Sequence, residues 1–235
     1  MKLVWSDEFD IDGAPDKDKW TYSTGSHGWG NGESQNYTNK IENSKVEKGA
    51  LVITARKEGN KWTSARVKTQ HKADWTYGYF EIKAKLPEGV GTWPAIWMMP
   101  SFEKYGGWPR SGEIDIMEHV GFEQNVIHSS VHTQAFNHKI GTHKTNLDTF
   151  SRVSKKYHVY AMEWDPEYIQ WFIDGELFYR FENTGISPTE WPFDIPFYLI
   201  MNIAIGGGWG GQQGIDKKMK EAKMYVDYVR VYQKN

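Results

Sequence analysis

The chain has 235 residues, 28 of them Lys or Arg and 30 Asp or Glu, for a formal net charge of −2. With charge so evenly matched and no Lys/Arg stripe, an electrostatic surface for nucleic acid or membrane is not expected, and the partner is expected to be neutral. Cysteine is absent, which excludes disulfides and thiol catalysis, and no apolar stretch approaches the roughly 20 residues of a membrane helix.

Residues 1–9 lead straight into an expected first strand and carry no signal peptide. Period-two alternation and β-branched or aromatic runs predict strands at 51–55 and 78–86, with turns at 58–60 and 87–89. Trp93 and Trp97 are four residues apart and share a face of the strand that carries them. Further strands are predicted at 157–164 and 169–173, set off by Asp165-Pro166 and Asp174-Gly175, and a last one at 225–232. Residues 217–222 predict one short helical turn, the only helical periodicity in the chain. Many short antiparallel strands predict an all-β fold, a jelly-roll β-sandwich of two stacked antiparallel sheets. No Ser/Pro-rich linker or charge block divides the chain, so one domain over 1–235 is expected.

The segment Glu113-Ile114-Asp115-Ile116-Met117-Glu118 places three carboxylates in a run that otherwise reads as a buried strand. Regular alternation puts Glu113 and Asp115 on one face and Glu118 on the other. A β-bulge at Ile116-Met117 absorbs one residue and returns Glu118 to the face of the other two. Glutamates leaning together could then approach the roughly 5–5.5 Å of a retaining glycosidase, although the wider inverting spacing stays open. Taken alone, the six residues fit a catalytic pair, an acidic strand facing water or a calcium site. Twelve Trp and thirteen Tyr in a chain of low hydropathy add rings for stacking, since the apolar face of a pyranose packs on indole.

Around this motif stand Trp93-Pro94-Ala95-Ile96-Trp97, Gly106-Gly107-Trp108-Pro109, Val131-His132-Thr133, Met201-Asn202-Ile203-Ala204-Ile205-Gly206-Gly207 and the closing Tyr225-Val226-Asp227-Tyr228. In this order they resemble glycoside hydrolase family sixteen, and within it the laminarinase-like endo-β-1,3-glucanases, whose signature is Glu-x-Asp-x-x-Glu. The resemblance implies a concave sheet forming an open cleft for a polysaccharide. It implies Glu113 as nucleophile, Glu118 as acid/base and Asp115 between them as a proton-sharing partner. It also implies retaining endo-hydrolysis of β-1,3-glucosidic bonds by double displacement.

Sugar contacts are expected from Trp93, Trp97, Trp108 and Trp209, and from Asn31, Arg66, His132 and Asn202; core packing is the alternative for each Trp and for His132. His119, directly after Glu118, is expected to face away. No cofactor is expected for catalysis. Glu8, Gly49 and Asp227 resemble the positions of a structural Ca2+, ordinary surface acids being the alternative. Gly32 and Gln134 depart from the usual Asn and acidic residue, which leaves room for cleavage of β-1,3-1,4-glucan as well. A non-hydrolytic lectin and a transglycosylase on the same fold are the rivals. A polymer-degrading enzyme meets its substrate outside the cell, so a secreted protein is expected, with a leader removed or Met1 added. A monomer is expected.

Overall fold

A computed structural model describes residues 1–234. Two sheets stack face to face, and all strand pairs are antiparallel except Gln35–Tyr37 against Lys61–Ser64. The inner, seven-stranded sheet runs Lys144–Thr149, Val126–His132, Glu113–Glu118, Thr92–Pro100, Phe197–Ile205, Arg66–Lys68, Thr21–Ser23. The outer sheet has ten strands and is centred on Gly78–Lys85, with His158–Trp164 on one side and Glu221–Gln233 on the other. Lys2–Asp7 pairs with Glu221–Gln233, so the first and last strands lie side by side.

Alternation builds the core. Along Gly78–Lys85 buried and half-buried residues alternate without a break, Phe80, Ile82 and Ala84 pointing at the inner sheet and Tyr79, Glu81 and Lys83 outward. From the inner sheet Ile96, Met98, Ile114, Leu199 and Met201 meet them. Phe197–Ile205 is buried along its whole length because one face packs in the core and the other forms the floor of a cleft. Trp164 and Trp171 are almost fully buried. Each removes roughly 150–250 Å² from water, about 4–6 kcal/mol before the entropy of ordering is subtracted.

The predicted strands all occur, within one to four residues of their expected ends. The helix expected at 217–222 does not: Asp216 accepts from the Lys218 and Met219 backbones in a turn, and a strand begins at Glu221. The apolar side chains Met219 and Ala222 are placed by that turn and strand, each against the core. Residues 136–148, which the sequence pattern leaves open, contain a 3-10 turn at His138–Ile140 and most of the edge strand Lys144–Thr149.

Candidate active site

The expected bulge is present. On one side of Glu113–Glu118, Glu113 stands opposite His132, Asp115 opposite Ser130 and Glu118 opposite His128, so three steps on the acidic strand match two on its neighbour. On the other side Asp115 pairs with Trp97 and Glu118 with Ala95. Ile116 and Met117 are both buried in the core, and Glu118 returns to the cleft. The carbonyls at the bulge are capped: Trp171, from the outer sheet, donates its Nε1–H to Asp115 O at 3.0 Å, and Ser129 Oγ donates to Ile116 O at 2.8 Å. Unpaired carbonyls there would cost about 1–3 kcal/mol each, so these two donors hold the irregularity in place.

No lysine or arginine forms an ion pair with the three acids among the described residues. Trp93 Nε1–H donates to Glu118 at 3.0 Å, Trp108 Nε1–H donates to Glu113, and His132 Nε2 stands 3.3 Å from Asp115 Oδ2. Asp115 is pushed well above the ordinary carboxylate range, first by burial, then by the Glu113 charge and a proton shared with that carboxyl. Glu118 is also pushed well up, by burial and then by the Asp115 charge, with His132 and the Trp93 hydrogen bond pulling partly the other way. The arrangement raises the proton affinity of Asp115 and Glu118 above that of a solvated carboxylate, the direction a general acid needs.

Of the residues expected from sequence, Asn31, Arg66, Trp93, Trp97, Glu113, Asp115, Glu118 and Asn202 line one continuous cavity. Arg66 lies between two indoles, 4.6 Å from the Trp97 ring centre and 4.8 Å from that of Trp29. Trp97 Nε1–H donates to Asn202 Oδ1 at 2.7 Å, and Asn202 donates to the Tyr37 hydroxyl at 2.9 Å. Trp108 and His132 stand beside the cavity through their contacts with the acids. Trp209 meets Trp93 edge to face at 5.4 Å and His128 at 4.8 Å. The glycine run allows that approach, because a Cβ at Gly210 would lie 2.8 Å from Trp93 Cβ and 2.7 Å from Gly206 O.

Sequence reasoning missed Trp29, Glu33 and Tyr37, which complete the far wall. Glu33 accepts from Asn31 at 2.9 Å and Gln35 at 2.6 Å, which fixes its carboxylate in that wall. The motif Asn31-Gly32-Glu33 held a signal for Glu33, since an acid two residues from a candidate sugar ligand shares its loop. His119 is fully buried away from the cleft, as alternation implies, accepting the Asn125 backbone N–H at 3.3 Å. Burial and the nearby His128 lower it to about 4, so it stays neutral.

At the expected calcium position Glu8 accepts two bonds from Arg230, at 3.0 and 2.8 Å, and Asp227 lies 2.7 Å from Lys83. Gly49 occupies a tight turn at φ +76°. Both carboxylates already face a cation, so neither side chain stands free as an oxygen ligand for calcium in this arrangement.

The model of the family described as "Glycosyl hydrolases family 16" matches residues 31–230. A β-glucanase of Rhodothermus marinus is 55% identical over 98% of this chain and 85% of that protein. The X-ray structure of the laminarinase from Rhodothermus marinus superimposes with a TM-score of 0.96 at 54% identity, covering 99% of this chain and 97% of that one. A mutant of SCLam, a non-specific endo-β-1,3(4)-glucanase presenting 1,3-β-D-cellobiosyl-glucose at its active site, superimposes with a TM-score of 0.96 at 47% identity, covering 99% and 95%.

Proposed function

The chain belongs to glycosyl hydrolases family 16, and on that premise we propose that it is a retaining endo-β-1,3-glucanase acting on laminarin-type polysaccharides in the cleft lined by Trp93, Trp97 and Arg66. The observation that carries the reading is the bulged strand with Glu113, Asp115 and Glu118 on one face and no cation neutralising them. The naming of similar proteins as β-glucanase and laminarinase supports the same reaction class.

Glu113 attacks the anomeric carbon and forms a glycosyl-enzyme ester while Glu118 protonates the departing glycosidic oxygen. Glu118 then takes a proton from water, whose oxygen displaces Glu113 and restores the carboxylate. The raised pKa of Glu118 supplies the proton in the first step. Consuming the negative charge of Glu113 in the ester lowers the proton affinity of Glu118, so that it serves as base in the second. Asp115 shares a proton with Glu113 and passes the change in charge between them. Trp108 and Trp93 orient the two glutamates through their indole N–H groups.

Asn31, Arg66, Trp97, Asn202 and Trp209 bind sugar rings and hydroxyls on either side of the scissile bond, and His132 steadies the acids. Gly32 and Gln134 in place of the usual Asn and acidic residue, together with similarity to a non-specific β-1,3(4)-glucanase, support activity on mixed-linkage glucan as well. The same reading has one catalytic domain spanning 1–235, acting as a monomer outside the cell. A structural Ca2+ at Glu8, Gly49 and Asp227 ties the terminal strands to the body; chelation with EDTA should then lower the melting temperature and leave kcat at low temperature unchanged. The test of the activity is release of reducing ends from laminarin and from mixed-linkage β-glucan, with Glu113→Gln as blank. Oligosaccharide release abolished in the blank is the expected result; retention on both polymers without release would leave a lectin.

A further inference from the structure

Glu113, Asp115 and His132 each offer one ligand atom to a common point, the three atoms lying within 4.8 Å of one another. Two of these side chains are more than nine-tenths buried, Asp115 at 2% exposure and His132 at 6%. Asp115 Oδ2 has no hydrogen-bond partner, although His132 Nε2 is only 3.3 Å away. The carboxylate oxygen and the imidazole nitrogen thus stand close together with no hydrogen bond between them.

That spacing has a chemical meaning. Two ligand atoms about 2.05 Å from a tetrahedral zinc ion are about 3.3 Å apart. Glu113 is half-buried and its Oε2 accepts from Trp108, so completing the set calls for a shift of this side chain toward Asp115 and His132. An imidazole with two carboxylates suits a borderline metal such as Zn2+ or Cu2+ better than Ca2+ or Mg2+, which prefer all-oxygen cages. The rings of His138 and His143 pack on His132 with centres at 5.1 and 5.6 Å, fixing its plane.

We propose that Glu113, Asp115 and His132 form a binding site for a divalent transition metal, Zn2+ being the type case, which occupies the cleft in place of substrate. The metal binds at the unpartnered Asp115 Oδ2 beside His132 Nε2, and its fourth coordination position opens into the cleft. His132 Nδ1 has no hydrogen-bond partner, so the site lacks the outer contact that strengthens a ligating imidazole. Binding is consequently reversible by a chelator. Inhibition, as distinct from binding, rests on the reading of Glu113 as nucleophile.

The experiment uses Co2+ as the spectroscopic probe and Zn2+ as the inhibitor. The wild-type protein should show the visible absorption of protein-bound Co2+, displaced by Zn2+. His132→Ala and Asp115→Asn should each weaken binding more than about tenfold. Glu118→Gln should retain the band although it is inactive, which separates the metal site from catalysis. Melting curves confirm that each variant is folded, and Asp115→Asn serves if His132→Ala is not. With laminarin as substrate, Zn2+ should raise the apparent KM with kcat unchanged, and EDTA should restore activity. Absence of the band, or its persistence in both His132→Ala and Asp115→Asn, overturns the site. A band lost in those variants without inhibition of the wild type overturns occlusion of the cleft, while the activity of Glu113→Gln, measured alongside, tests the role of Glu113 separately.

Discussion

The two sheets treat carboxylates in opposite ways. On the outer face Glu8 is gripped by Arg230, Asp227 by Lys83 and Glu182 by Arg180, while Lys83 and Lys85 lie over Tyr157, Tyr228 and Tyr225. On the cleft face Glu113, Asp115 and Glu118 receive indole N–H groups and an imidazole, and no full positive charge. The result is a separation of proton affinity within one sandwich: Glu8 is held below its ordinary pKa by Arg230, whereas Asp115 and Glu118 are driven above theirs by burial and by each other. A cation solves the electrostatic problem of an acid and removes its chemistry; an indole orients the acid and leaves the proton.

Linkage gives the two groups opposite signs. Glu8 has a lowered folded pKa, so its contribution to stability is present above its ordinary pKa and lost as pH falls through the folded value. Asp115 and Glu118 have raised folded pKa values, so their contribution is present below the ordinary carboxylate range and lost as pH rises through the folded values. At neutral pH the cleft acids therefore oppose folding, and the outer pair supports it weakly.

The contrast is broken most strongly at Glu113 and Glu118. Glu113→Gln or Glu118→Gln should each lower kcat/KM at least about a thousandfold, and Glu118→Gln should melt no lower than the wild type at pH 8, since it removes a strained acid. Kinetics on laminarin paired with thermal melting checks both halves. Asp115→Asn should lower the rate about a hundredfold or more. It should also move the alkaline limb of the pH–rate profile to lower pH, because the Asp115 charge is one reason Glu118 holds its proton. An alkaline limb that stays in place would dissociate the two groups.

A smaller effect is expected one layer down. Trp171→Phe keeps an aromatic side chain but leaves Asp115 O without its donor and opens a small cavity where the indole lay, so unfolding free energy should fall by at least about 1–3 kcal/mol. For a protein of this size that is roughly 2–4 °C in melting temperature per kcal/mol. Activity should fall as well, because the bulge that aims Glu118 has lost one of its two caps. The smallest effect belongs to the outer face: Arg230→Ala should cost at most about 1 kcal/mol and leave kcat unchanged, since a solvent-screened pair contributes little.

The acidic motif was legible in the sequence because alternation is a local rule, and a three-residue step between Asp115 and Glu118 demands a bulge if both are to share a face. The long strands were legible for the same reason. What secures the bulge was not: Trp171 is 56 residues from Asp115 and reaches it from the opposite sheet. The three-residue strands Thr21–Ser23, Gln35–Tyr37 and Arg66–Lys68 are too short to show a period, and they are held by their neighbours. Tyr37 entered the cleft wall unseen on that account. The turn at Asp216–Met219 was mistaken for helix because its lysines and apolar residues fit a helical period that the following strand overrides.

The most direct test of the central claim is trapping of the covalent intermediate. The enzyme would be incubated with a 2-deoxy-2-fluoro β-1,3-linked glucoside bearing an activated leaving group, then digested and mapped by mass spectrometry. The account predicts one glycosyl adduct per molecule, on Glu113. An adduct on Asp115 or Glu118, or turnover of the unfluorinated compound with inversion and no adduct, would contradict it.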